Sequence, residues 1–154
     1  MSSVAFFPSY PAMATAVRRV TGCRTEWALL FVSHTALLGC FVLLAMYIGE
    51  RFPKESVDLP EYSLVALALF PTTFWMRMCY TESLFLFVVL LAMFGMLRGW
   101  KPLWVALVIG FATATRSSGV ALVPVFWWWL WQDRDAISFR RAALQAVAWL
   151  PVCL

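Results

Sequence analysis

Hydrophobic residues along this chain come in long uninterrupted runs separated by short charged stretches. There is neither the two-residue alternation of a half-buried strand nor a sharply two-faced helical period. The most extended run, Trp27 to Gly49 (WALLFVSHTALLGCFVLLAMYIG), carries no formal charge when His34 is neutral. It is long enough as a helix to cross a hydrocarbon core of about 30 Å. Glu50 to Glu61 follows, charged and containing two prolines, and reads as a loop that has no place in lipid. Further apolar runs cover Tyr62–Trp75, broken by Pro71, and Ser83–Leu97, which stops at Arg98-Gly-Trp-Lys101. The stretch Pro102–Trp131 is interrupted by Thr115-Arg-Ser-Ser-Gly119. As a single helix it would reach about 45 Å, so two helices meeting at a Ser-Ser-Gly turn are expected. A last run begins near Ala142 and is too short to span before Leu154. The predicted helices are therefore 27–49, 62–76, 83–98, 102–115, 118–131 and a partial 142–154, with Pro11–Val20 as an interfacial amphipathic helix. The expected fold is all-α: one domain over residues 1–154, a polytopic transmembrane bundle that is incomplete.

Composition narrows this further. Of 154 residues, 63% are hydrophobic and 13% charged, with a mean hydropathy of +0.81. A soluble domain is nearer about 45–50% apolar and about 25% charged, and disordered chains are poor in aromatics, which make up 17% here. A water-soluble monomer and a disordered chain are both set aside. The net charge of +4 does not indicate a nucleic-acid partner, because the basic residues are scattered in ones and twos between apolar runs. Cys23, Cys40, Cys79 and Cys153 form no CxxC pair and no Cys/His cluster, so they read as packing residues, and no metal or cofactor is expected. No basic region precedes an apolar one at the start, so a secretory signal peptide is not expected.

If the runs alternate across a bilayer, one side carries Arg51, Lys54, Arg98, Lys101, Arg134, Arg140 and Arg141. The other carries Arg18, Arg19, Arg24, Arg77 and Arg116. The richer side is expected in the cytoplasm. The N-terminal Phe6-Phe-Pro-Ser-Tyr-Pro11, the segment Arg77-Met-Cys-Tyr-Thr-Glu-Ser83 and the turn Thr115–Gly119 then gather on the opposite face.

Two residues stand out there. Glu82 is the only acidic residue between Glu61 and Asp133. It reads either as part of a helix start capped by Thr81 or Ser83, or as a functional carboxylate, and the two are compatible. Arg116 lies inside an apolar stretch. Its guanidinium suits a phosphate, with Ser117, Ser118 and amides freed around Gly119 as further donors; the plainer alternative is an arginine reaching the headgroup layer. His34 reads as a packed core histidine satisfied by Ser33 and Thr35, and Arg77, beside Trp75 and Tyr80, as an interfacial anchor. No Walker loop, GxGxxG, HExxH or GxSxG is present, which removes soluble nucleotide and protease chemistry.

Three segments, in this order, carry a resemblance: Ala5-Phe-Phe-Pro-Ser-Tyr-Pro11; Leu69-Phe-Pro-Thr-Thr-Phe-Trp75 running into Tyr80-Thr-Glu-Ser-Leu-Phe85; and Ala114-Thr-Arg-Ser-Ser-Gly119. Together they resemble the PIG-V family of mannosyltransferases and its bacterial relatives, within the GT-C class of integral-membrane glycosyltransferases. The resemblance implies a multi-pass enzyme of a bacterial plasma membrane or the endoplasmic reticulum. Such an enzyme transfers mannose or a similar sugar from a polyprenyl- or dolichyl-phosphate carrier to a glycan or glycolipid acceptor on the non-cytoplasmic side. It also implies that Phe7, Pro8, Tyr10, Tyr80, Thr81 and Glu82 line the sugar or acceptor site, while Arg116, Ser117 and Ser118 stabilise the departing phosphate.

The general base of this class is an aspartate ahead of the AFFP-like segment, which would lie upstream of Met1. The catalytic residue is thus left unknown, with Glu82 as a substitute candidate, and the chain is expected to be a fragment that is inactive by itself. The alternative is a small non-catalytic polytopic membrane protein, an accessory subunit or a transporter fragment. No inverted repeat favours the transporter.

Overall fold

A computed structural model describes residues 9–53, 58–70 and 81–132, and the described chain is entirely helical. In chain order the elements are α1 (Ser9–Thr21), α2 (Thr25–Arg51), α3 (Leu59–Leu69), α4 (Glu82–Leu97), α5 (Pro102–Thr115), the 3-10 turn η1 (Ser117–Ala121) and α6 (Leu122–Gln132). The expected helix 142–154 lies outside the described residues, as do residues 71–76 of the one expected over 62–76.

The boundaries follow local chemistry. α1 begins at Ser9, earlier than the amphipathic pattern indicates, and ends at Gly22, whose φ of +68° is the left-handed conformation that closes helices. α3 begins ahead of its apolar run because Pro60, in its first turn, suits a helix start. It stops at Phe70, held extended (φ −64°, ψ 129°) by the proline that follows. α4 ends at Arg98 and Gly99 (φ +64°), where the amide of Trp100 returns to Gly95 O at 2.9 Å. α5 is broken at Arg116, whose backbone is extended (φ −157°, ψ 140°), and the chain then winds as a tight 3-10 turn before α6. The expectation for 118–131 was a single α-helix, and the tighter opening has a packing reason. Gly119 sits so close to α5 that a Cβ there would lie 2.6 Å from both Ala112 C and Thr113 N.

α2 is the spine. At 27 residues it is about 40 Å long. It packs against α1, α3 and α4, while α5 packs on α4 and α6 on α5. The direction of α4 relative to α2 is fixed by two contacts. Phe87 lies over Gly39, and Arg98 pairs with Glu50, so the two helices run parallel and in step. Two apolar clusters form the core. One joins Tyr10, Val32, Ala36, Leu84, Val88 and Ala112, and the other joins Ala92, Val105, Ile109, Phe126 and Leu130.

The buried face of α2 mixes the small or polar Ala28, Ser33, Ala36 and Cys40 with Val32, Leu37 and Ile48, while a second set of large apolar residues faces outward. Trp27, Phe31, Leu38, Val42 and Met46 are 41–65% exposed. Small residues let α4 approach closely, and the outward stripe needs an apolar surrounding. Among the described residues α2 alone is both long and apolar enough to cross a membrane; α3, α4 and α5 are apolar but shorter.

Candidate functional site

Glu82 opens α4 and Arg116 closes α5, and these helices run in opposite directions, so their ends meet. Arg116 Nη1 lies 3.3 Å from Glu82 Oε1, with both side chains partly exposed. The contact engages one guanidinium nitrogen and one carboxylate oxygen. The second oxygen, Glu82 Oε2, is enclosed and has no hydrogen-bond partner among the described residues. Thr81 occupies the N-cap position of α4, but its side chain makes no capping bond, and the Ser83 hydroxyl is buried without a partner among the described residues. The expected capping by Thr81 or Ser83 is therefore not made, and Glu82 is held across to α5 instead.

The start of α1 docks beside this pair. Ser9 Oγ–H donates to Ala114 O (2.9 Å) and lies 3.1 Å from Thr115 Oγ1, which in turn donates to Phe111 O (2.8 Å). Tyr10 Oη–H donates to Leu29 O (3.1 Å) and lies 2.8 Å from Ser33 Oγ. Ser9, Ser33 and Thr115 are all buried, so each bond replaces water that burial removed. Neighbouring Cys40 Sγ reaches Ser83 O at 3.5 Å. These bonds form a polar layer in an otherwise apolar molecule, linking α1, α2, α4 and α5 between Leu29 and Cys40 of α2, a stretch of about 16 Å.

Its depth can be estimated from the helix register. With Phe87 opposite Gly39 and Ser83 O at Cys40 Sγ, Glu82 stands level with His34 or nearer the middle of α2. α2 begins at Thr25 and so extends at least about 14 Å past the pair, with α1 folded back along this overhang.

Of the residues expected to line a site, Glu82, Arg116, Ser117 and Ser118 lie at this end, with both serines exposed at the start of η1. Thr81 is half-buried beside Glu82. Tyr10 is 5% exposed, with its hydroxyl turned into α2, and so anchors α1 rather than facing open space. Phe7, Pro8 and Tyr80 lie outside the described residues, as do Arg77, Cys79 and Cys153. Two amides near Gly119, expected to be free, are engaged: Arg116 N with Ala112 O (3.0 Å) and Gly119 N with Arg116 O (2.9 Å). His34 is exposed rather than packed in the core, and its Nδ1 is satisfied by Leu30 O at 2.8 Å, not by Ser33 or Thr35.

Sequence reasoning missed Ser9, Ser33 and Thr115 as parts of the polar layer. Their signal was present in the spacing of small hydroxyl residues within apolar runs, but such residues are common in membrane helices.

At the opposite end, Arg98 Nε donates to Glu50 Oε1 (3.0 Å), and the guanidinium lies 4.8 Å above the Phe94 ring. Glu50 lies beyond the uncharged run that ends at Gly49, and its hydrogen bond from Arg98 holds the carboxyl below its ordinary value. Among the described residues no group of three His, Cys, Asp or Glu side chains gathers to hold a metal.

No known protein family, curated protein or solved structure matches the chain.

Proposed function

We propose that this chain forms part of a multi-pass membrane glycosyltransferase of the GT-C type that takes a sugar from a lipid-phosphate carrier. The observation that carries the reading is that Ser9 docks on the last residues of α5, next to the Arg116 that pairs with Glu82. Each of these three residues comes from a different one of the three segments that resemble the PIG-V mannosyltransferases. The outward apolar stripe of α2 supports a bilayer as the surrounding.

In this reading Arg116 meets the carrier phosphate. Among the described residues its side chain makes one long contact, to Glu82, so an anion can join or displace it, and negative charge grows on that phosphate as the sugar leaves. Ser117 and Ser118, exposed beside it, supply hydroxyl donors to the same group. Glu82, partly exposed beside Arg116, is the candidate to accept the proton of the hydroxyl of an acceptor glycan or glycolipid.

The test is sugar transfer from polyprenyl-phosphate mannose in membranes carrying the protein. Arg116→Ala should lower transfer by about 10²-fold or more, the usual effect of losing one donor to developing negative charge. Equal transfer by wild type and variant would remove Arg116 from the reaction and the proposal with it.

A further inference from the structure

The overhang of α1 and the first turns of α2 is joined by Gly22 to Arg24 and lies away from the Glu82–Arg116 layer. It carries two adjoining cavities of opposite character. One is a groove of about 580 Å³ with almost wholly apolar walls, among them Val17, Cys23, Trp27, Leu30, Phe31 and His34. The other, about 340 Å³, is mostly polar and lies at the helix ends, where Arg18, Arg24, Thr25 and Glu26 face it. Cys23 borders both, so the apolar groove and the polar cavity lie side by side.

We infer that this composite site binds one anionic membrane phospholipid, with an acyl chain in the α1–α2 groove and the headgroup phosphate between Arg18 and Arg24. The charge pattern favours this occupant. Arg18, Arg19 and Arg24 cluster at this end against a single carboxylate, Glu26, whose pairing with Arg24 is 3.5 Å long and highly exposed. A contact of that kind holds an arginine weakly and leaves it able to turn to a phosphate. Arg18 Nη1 reaches Thr25 Oγ1 at only 3.4 Å, which places its guanidinium over the polar cavity without a strong partner. These three arginines also lie on the side that the count of basic residues makes non-cytoplasmic, where topology gives no reason for them. An apolar cleft beside two arginines matches a lipid with one anionic head. A zwitterionic head brings a second, repelled cation.

The inference rests on α2 lying in a bilayer, and the experiment separates the two claims. The protein is reconstituted into vesicles of phosphatidylcholine containing a minor fraction of either phosphatidylglycerol or phosphatidylcholine brominated near the carbonyl end of one chain. Quenching assigned to Trp27, by difference from Trp27→Phe, is then measured. Brominated phosphatidylglycerol should quench Trp27 preferentially. The preference should fall about five-fold for each of Arg18→Gln and Arg24→Gln, weaken with salt, and persist in Arg19→Gln, whose side chain lines neither cavity. Equal quenching by the two lipids, or a preference unchanged in the double variant, overturns the site. Displacement of phosphatidylglycerol by equimolar polyprenyl monophosphate overturns the phospholipid assignment. Absence of quenching by either lipid overturns the placement of α2 in the bilayer, and the site with it.

Discussion

Gly119 offers a demanding test, because the connection between Arg116 and α6 depends on it. A methyl group at this position would lie 2.6 Å from Ala112 C, 2.6 Å from Thr113 N and 2.8 Å from Ala112 O, all backbone atoms of α5. Carbon atoms in comfortable contact sit about 3.5–4.0 Å apart, so η1 must retreat by about 1 Å. No side chain can rotate away to relieve the clash, and Ala112, fully buried, gives α5 no room to yield. Overpacking of a well-filled site costs about 1–3 kcal/mol, and a clash against backbone belongs at the upper end. Gly119→Ala should therefore destabilise by about 3 kcal/mol, roughly a hundredfold in the folding equilibrium. It should also displace Arg116, Ser117 and Ser118, which lead into the turn.

Gly110→Ala is the matched comparison. It lies within α5, nothing stands within 4 Å of an added Cβ, and alanine in a helix interior gains about 0.5–1 kcal/mol over glycine. Thermal and denaturant unfolding of both variants in one detergent would measure the difference. If Gly119→Ala unfolds together with Gly110→Ala, or with wild type, the close approach of η1 to α5 is wrong.

Two further outcomes follow from the polar contacts. Tyr10→Phe removes a buried hydroxyl bonded to Leu29 O and near Ser33, and should cost about 1–2 kcal/mol in denaturant unfolding while leaving the helix content unchanged. Because Arg98 holds the Glu50 carboxyl below its ordinary value, the contribution of that pair is present above the ordinary carboxylate range and is lost as pH falls through the lowered value. The midpoint difference between wild type and Glu50→Gln should accordingly be small but measurable at neutral pH and vanish in strong acid. A difference that grows on acidification would contradict the pairing.

The helical character of the molecule was plain in the sequence, since nearly every long apolar run here lacks strand alternation and is bounded by charges or proline. Which faces turn inward was not legible. In α2, Phe31 and Leu38 face out while Ser33 and Cys40 are buried beside Val32 and Leu37, so hydrophobicity alone does not mark the inward face. The extent of α1 was hidden for a related reason. Ser9 and Tyr10 look like interfacial loop residues until their hydroxyls find Ala114 O and Leu29 O, contacts separated by many residues in the chain. For the candidate site, the shared side of Glu82 and Arg116 could be argued from alternating helices. Their pairing at 3.3 Å needed the register of α4 against α5. His34 shows the opposite failure: a lone histidine in an apolar run looked buried, yet it lies exposed on the groove side of α2.

In the proposed function, Arg116 receives a lipid-borne phosphate at the polar layer it shares with Glu82. The most direct measurement is the affinity of polyprenyl monophosphate for the protein in nanodiscs, compared between wild type, Arg116→Ala and the Arg18→Gln/Arg24→Gln double variant. A charge-assisted hydrogen bond contributes about 1.5–3 kcal/mol, so Arg116→Ala should weaken binding by about ten- to a hundredfold while the double variant binds as wild type does. Unchanged affinity in Arg116→Ala, or a loss confined to the double variant, would contradict it.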